Sequence, residues 1–114
     1  MTYDIVALCG SQPTPAIMLG AMHAAGTHLH VNTIEEAQLI QLYHPDGRLM
    51  LTTEGARLVQ VPGEAKRLLG IDVPNPVWWV ESRAPSGDPE AEDVTKRFAQ
   101  ALVTATGGAL WSTR

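Results

Sequence analysis

Apolar runs separated by turn residues organise the start of the chain. Asp4–Cys9 is apolar after its first residue and stops at Gly10, which predicts a strand buried on both faces in the middle of a sheet. Thr14 followed by Pro15 is typical of a helix N-cap with proline in the first turn, so we expect a helix over Pro15–Ala25. This helix is apolar almost all round, which predicts that it is covered on more than one side.

Strand-like segments alternate with turns through the middle of the chain. The predicted strands are His28–Asn32, Ala37–Tyr43, Arg48–Thr53, Arg57–Val61 and Val77–Arg83. The turn residues His44-Pro45-Asp46-Gly47 predict that the second and third of these strands form a hairpin, with the fourth strand continuing the meander. Glu64–Leu69 is long enough for one or two helical turns.

The clearest amphipathic helix is predicted near the end of the chain. Asp88 is typical of an N-cap, Pro89 follows it, and the pattern continues to about Thr106. Its apolar stripe consists of Ala91, Val94, Phe98, Ala101, Leu102 and Ala105. We expect Phe98 to be the buried anchor of this helix, and a short strand over Ala109–Ser112 to follow it.

The order of these elements predicts a fold class. A strand, a helix, a meander, a tryptophan-rich strand, a helix and a strand fit an α+β domain, with an antiparallel sheet and two main helices packed on one face. A chain of 114 residues is the usual size of one domain, so we expect a single domain over residues 1–114.

Composition and charge narrow the class of partner. The net charge is −4, and the eight Lys and Arg residues are scattered, which argues against a nucleic-acid surface. Ile17–Ala25 is too short an apolar run to cross a membrane. Cys9 is the only cysteine and has no partner for an intrachain disulfide, so we expect a reducing, cytoplasmic setting.

The histidines are candidate metal ligands. His28 and His30 would project from the same face of the predicted strand, but zinc requires at least three protein ligands. The other candidates are His23, His44, Cys9 and the carboxylates, and none of them has ligand spacing relative to these two histidines. We therefore expect polar surface histidines, with no metal and no other cofactor.

Cys9 and Thr14 suggest an alternative site in the loop between the first strand and the first helix. A thiol near a helix N-terminus can become reactive, and such loops can bind phosphate. The loop has one glycine, no lysine and two prolines, so both signals are weak. A buried structural cysteine is the competing interpretation.

The tryptophans give the main functional hypothesis. Trp78 and Trp79 are neighbours in a strand and must point to opposite faces, so one faces the helices and the other faces the second surface of the sheet. Glu81 shares the face of Trp79, which favours Trp79 as the outward residue. Met50 or Leu49 would join that second surface, according to the register of the strands. We expect Trp78, Trp79, Trp111 and Met50 to include the binding residues, unless loops cover that surface.

Three stretches carry a resemblance to a known family. They are Leu58–Glu64 with Arg67–Gly70, Pro76–Glu81, and Thr106–Trp111. Through these stretches, about half of the chain resembles the N-terminal region of an uncharacterised actinobacterial family found beside type VII secretion and polymorphic-toxin genes. The resemblance implies a cytosolic accessory, immunity or assembly role, and it supplies neither an activity nor catalytic residues.

We therefore expect a non-enzymatic protein-binding module that uses a sheet face or edge. A small-ligand-binding or enzymatic domain, with a pocket near Cys9, Thr14 and the histidines, is the alternative. A third interpretation is a homo-oligomer, most simply a homodimer, that buries the apolar first helix.

Overall fold

The computed structural model describes residues 2–34, 38–74 and 76–113, and its strands form one antiparallel sheet. The strands are β1 (Thr2–Cys9), β2 (His30–Ile34), β3 (Leu39–Tyr43), β4 (Leu49–Glu54), β5 (Arg57–Val59), β6 (Val77–Pro85) and β7 (Gly108–Ser112). The helices are α1 (Pro15–Ala25), α2 (Glu64–Leu69) and α3 (Pro89–Thr106). The α+β class predicted from the sequence is confirmed.

The order of the strands is β2-β3-β4-β6-β1-β7, and β5 pairs with β6 beyond the end of β4. As predicted, β1 is a central strand and is buried from Ile5 to Cys9. The prediction that β5 continues the meander beside β4 is wrong. Gly55 and Ala56 interrupt strand pairing between β4 and β5, so these two strands lie end to end along the same side of β6.

Helices α1 and α3 pack on one face of the sheet, which we call the helix face. Both begin at the predicted caps: the Thr14 hydroxyl accepts a hydrogen bond from the Ile17 amide, and the Asp88 carboxylate accepts one from the Ala91 amide. Phe98 is fully buried between α3 and the sheet, as predicted. The helix face holds the larger core of the protein.

Helix α2 covers part of the opposite face, which we call the second face. Ala65 and Leu69 of α2 pack against Val6, Leu8 and other apolar residues of the sheet. The segment that follows α2 adds Ile71 and Val73 to this smaller core. The second face is therefore partly covered, by the short helix that Glu64–Leu69 predicted.

Two details of the sheet differ from the sequence prediction. Strand β2 begins at His30, so His28 precedes the strand and does not share a face with His30. Ala37, predicted to start the next strand, lies outside the described residues. The register between β3 and β4 shifts at Leu42 and Tyr43, which places both Met50 and Leu51 in the helix-face core.

Among the described residues, no helix is both long and apolar enough to cross a lipid bilayer.

Candidate functional site

The three tryptophans divide between the two faces as strand parity requires. Trp78 packs, partly buried, against the helix-face core. Trp79 lies on the second face, as predicted, and Trp111 packs beside it. The structure therefore brings Trp79 and Trp111 together and places Trp78 on the other side of the sheet.

The prediction that Trp79 is an exposed binding residue is wrong. Its side chain is only 5% exposed, because α2 and the segment after it cover the indole. Met50 was expected on the second face, but it is fully buried under the helices because of the register shift. The structure agrees with the competing interpretation, in which chain outside the strands covers the outward tryptophan.

A polar cleft of about 600 Å³ lies over Trp79, at the break between β4 and β5. Glu81 accepts a hydrogen bond of 2.9 Å from the indole Nε1 of Trp79. The guanidinium of Arg57 lies 5.6 Å from the centre of the same indole ring, and 3.9 Å separates its Nη2 from Glu81. The Trp79 indole is thus hydrogen-bonded to Glu81, and Arg57 lies within ion-pair distance of the same carboxylate.

An apolar groove of about 360 Å³ lies on the other side of the same break, between α1 and the β2–β3 hairpin. Its lining residues are Pro13, Pro15, Met18, Leu19, Met22, Val31, Thr33, Ile40, Gly55 and Ala56. Leu19 is 63% exposed and Val31 is 52% exposed, although both are large and apolar. We call this surface the α1–β2 groove.

Strand β2 forms one border of the α1–β2 groove and is an edge of the sheet. All five of its residues are exposed. Natural edge strands are commonly protected by lysine, proline or a bulge. The sequence His-Val-Asn-Thr-Ile contains neither lysine nor proline, and its pairing with β3 has a regular register. The outer side of β2 therefore offers backbone N–H and C=O groups for another strand.

Cys9 and Thr14 do not form the alternative site. Cys9 is fully buried in the helix-face core. Burial raises the pKa of the Cys9 thiol, and a hydrogen bond with the Thr106 side chain opposes this shift only in part. Thr14 is occupied in capping α1. A neutral, buried thiol is a poor nucleophile, so the structural interpretation of Cys9 is favoured.

We expect Cys9 to resist modification in the folded protein. At pH 8, labelling by a disulfide reagent should be at least about a hundredfold slower than in denaturant, because the thiol must first be exposed by opening of the core. Ser11→Cys, which places a thiol at an exposed position two residues away, is the positive control. Labelling of Cys9 as fast as that control would contradict the assignment.

The structure separates His28 from His30, which were predicted to share a strand face, and places His28 beside His44. His23 is exposed on α1, and His30 is exposed on β2. His28 and His44 are brought together, with their ring centres 5.5 Å apart in an edge-to-face arrangement. Nε2 of His44 lies 3.8 Å from a carboxylate oxygen of Glu90 in α3. Sequence spacing did not reveal this cluster because its members come from three separate segments.

Arg48 organises the acidic groups beside this cluster. Its guanidinium donates hydrogen bonds of 2.8 Å to Asp46, 2.9 Å to Asp88 and 2.8 Å to Glu90. The hydrogen bonds that Arg48 donates to Glu90 and to Asp46, with the negative charges of Asp46 and Asp88, raise the pKa of Arg48 above its ordinary value, so it stays charged. The turn after β3 is thereby held against the first turn of α3. Arg48 was predicted only as the first residue of a strand, although its place directly after an Asp-Gly turn is visible in the sequence.

Comparisons of the chain with protein-family models, with curated proteins and with solved structures found no match.

The stretches behind the family resemblance have a common place in the fold. They cover β5 and the turn after it, the end of α2, the start of β6, and the junction of α3 with β7. Five of their apolar residues, Val59, Leu69, Val77, Trp79 and Trp111, belong to the second-face core, whereas Trp78, Val80 and Leu110 belong to the helix-face core. The stretches therefore contribute to both cores, and the α1–β2 groove lies outside them.

Proposed function

We propose that this chain is a non-enzymatic protein-binding module that acts through the free edge of β2 and the adjoining α1–β2 groove. The observation that carries the proposal is the exposed, regular edge strand beside a groove lined almost entirely by apolar side chains. An extended segment of a partner protein would pair with β2 as an additional strand. Its alternate side chains would enter the groove beside Val31 and Leu19.

Strand parity supports the joint use of edge and groove. Val31 and Thr33 line the groove, whereas Asn32 lies on the other face, where its amide donates to Gln41. Successive side chains of an added strand would alternate in the same way. Backbone hydrogen bonds would supply affinity, and the apolar side chains that enter the groove would supply selectivity.

The exposed side of α1 supports self-association through the same surface. Met18, Ala21, Met22 and Ala25 are buried, but Leu19 remains largely exposed on this predominantly apolar helix. Two copies paired through β2 about a two-fold axis would cover both grooves. We therefore propose a homodimer as the state of the isolated chain, with the partner protein competing for the same edge.

The finer role is proposed from the family resemblance alone. An immunity or secretion-accessory role in the cytoplasm fits a small acidic domain that binds another protein. The net charge of −4 supports a protein partner over a nucleic acid. The alternative of a small-molecule or enzymatic pocket that uses Cys9 and Thr14 is less well supported, because Cys9 is buried and Thr14 caps α1.

A positive charge placed in the α1–β2 groove should weaken self-association. We expect sedimentation equilibrium at tens of micromolar to give a dimer for the natural chain, and Val31→Lys to weaken the dimer by at least about thirtyfold. Leu68→Lys is the matched control, because Leu68 is 51% exposed on α2, away from the groove. Circular dichroism melts would verify that each variant folds.

The homodimer and the binding of a partner protein are tested by different measurements. A natural chain that sediments only as the 12.3 kDa species would contradict the homodimer. For the partner, proteins retained by the natural chain and by Leu68→Lys, but lost with Val31→Lys and with Leu19→Lys, would identify a ligand of the groove. Retention of the same proteins by all four chains would contradict the proposed surface.

A further inference from the structure

We propose that His28, His44 and Glu90 form a binding site for one divalent transition-metal ion, with Zn²⁺ as its type ligand. One nitrogen from each histidine and one oxygen of Glu90 lie within 4.8 Å of one another. Two imidazoles and a carboxylate are a ligand set that zinc uses in proteins, and water completes the coordination. The inference is independent of the proposed protein-binding function.

The side chains need only a small movement to close around an ion. Tetrahedral zinc with bonds of about 2.0–2.1 Å holds its ligand atoms about 3.3 Å apart. His44 Nε2 and Glu90 Oε2 are already 3.8 Å apart. His28 and Glu90 are exposed and His44 is half-buried, so rotation of surface side chains would supply the remaining approach.

The neighbouring groups leave the ligand atoms available. Arg48 binds the other oxygen of Glu90, Oε1, at 2.8 Å, which orients the carboxylate with Oε2 towards His44. Asp46, Asp88 and Glu90 supply three negative charges around the single positive charge of Arg48. The surplus of two negative charges matches a divalent cation.

Asp46 would orient His44 from behind. The backbone amide of Asp46 donates a hydrogen bond of 3.1 Å to Nδ1 of His44, and a carboxylate oxygen of Asp46 lies 3.2 Å from the same nitrogen, on the far side of the ring from Glu90. A metal on Nε2 requires the tautomer with its proton on Nδ1. The bond from the amide would then be replaced by one from Nδ1 to the Asp46 carboxylate, the usual arrangement behind a metal-bound histidine.

The site would join three segments of the chain. His28 lies between α1 and β2, His44 follows β3, and Glu90 is in the first turn of α3. A bound ion would link the edge hairpin to α3, as Arg48 does. Binding to the folded chain alone also predicts that zinc raises the melting temperature.

The test is calorimetric titration of chelator-treated protein with ZnCl₂, using a chain without a polyhistidine tag. We expect one ion per chain with a Kd of about 10 μM or tighter. His28→Ala, His44→Ala and Glu90→Gln should each weaken binding at least about tenfold and remove the zinc-dependent rise in melting temperature. Asp46→Asn should weaken binding less than His44→Ala.

His30→Ala and His23→Ala are the matched controls, since both histidines are exposed and lie outside the cluster. Unchanged binding in these controls supports the site. The absence of one-to-one binding, or binding that His30→Ala weakens as much as His28→Ala does, would overturn it. Full binding by all three cluster variants would overturn it as well.

Discussion

Phe98→Ala is expected to lower the free energy of unfolding by about 3–5 kcal/mol, the usual cost of removing a core aromatic side chain. Phe98 is fully buried, where α3 meets the sheet and α1. The substitution leaves a cavity that rigid strands on one side and α1 on the other cannot easily fill. Denaturant titration followed by circular dichroism measures the loss.

Lys96→Ala serves as the control for this prediction. Lys96 is exposed on the same helix, two residues from Phe98, so its loss should change stability by no more than about 0.5 kcal/mol. Phe98→Leu, which retains much of the volume, should fall between the two. A loss below about 1 kcal/mol for Phe98→Ala would mean that α3 does not depend on this anchor.

Gly108→Ala is expected to destabilise the protein by about 3 kcal/mol or more, through a clash with the backbone. Gly108 pairs with Cys9 at the start of β7. A Cβ atom there would overlap the carbonyl oxygen of Leu8 and lie only 3.0 Å from its carbonyl carbon. The obstacle is the backbone of the central strand, so no side-chain rotation relieves it.

Gly20→Ala is the matched control, and we expect it to raise the stability that Gly108→Ala lowers. Gly20 lies inside α1, and a Cβ atom built on it meets nothing within 4 Å. Alanine there lowers the entropy of the unfolded chain and favours the helix, so we expect a gain of about 0.5–1 kcal/mol. Thermal and denaturant unfolding of both variants would measure the pair. A Gly108→Ala protein as stable as the natural chain would disprove the close approach of β1 and β7.

Local signals in the sequence were sufficient to predict the elements and their type. Thr14 and Asp88 cap the two long helices, as their side chains and the prolines that follow predict. The apolar stripe of α3 identified Phe98 as a core residue. The opposite orientations of Trp78 and Trp79 follow from strand geometry alone. Each of these predictions depends on residues within a few positions of one another.

The candidate sites depend on contacts between distant segments, and the sequence did not predict them. Parity placed Trp79 on the second face, but only the packing of α2 determines that it is buried. A register shift between β3 and β4 moved Met50 into the helix-face core, which a regular alternation does not anticipate. Burial depends on what packs over a residue, and pairing depends on register.

The sequence by itself determined the class of fold, the main helices and strands, and the anchor of the larger core. Tertiary structure decided the strand order, the exposed edge at β2 and the α1–β2 groove beside it. It also decided that His28, His44 and Glu90 meet, although no spacing between them resembles a metal motif. The physical reason is the sequence separation of the interacting residues. Helix caps and hydrophobic periodicity depend on residues a few positions apart, whereas a surface or a ligand cluster is assembled from strands and helices far apart in sequence.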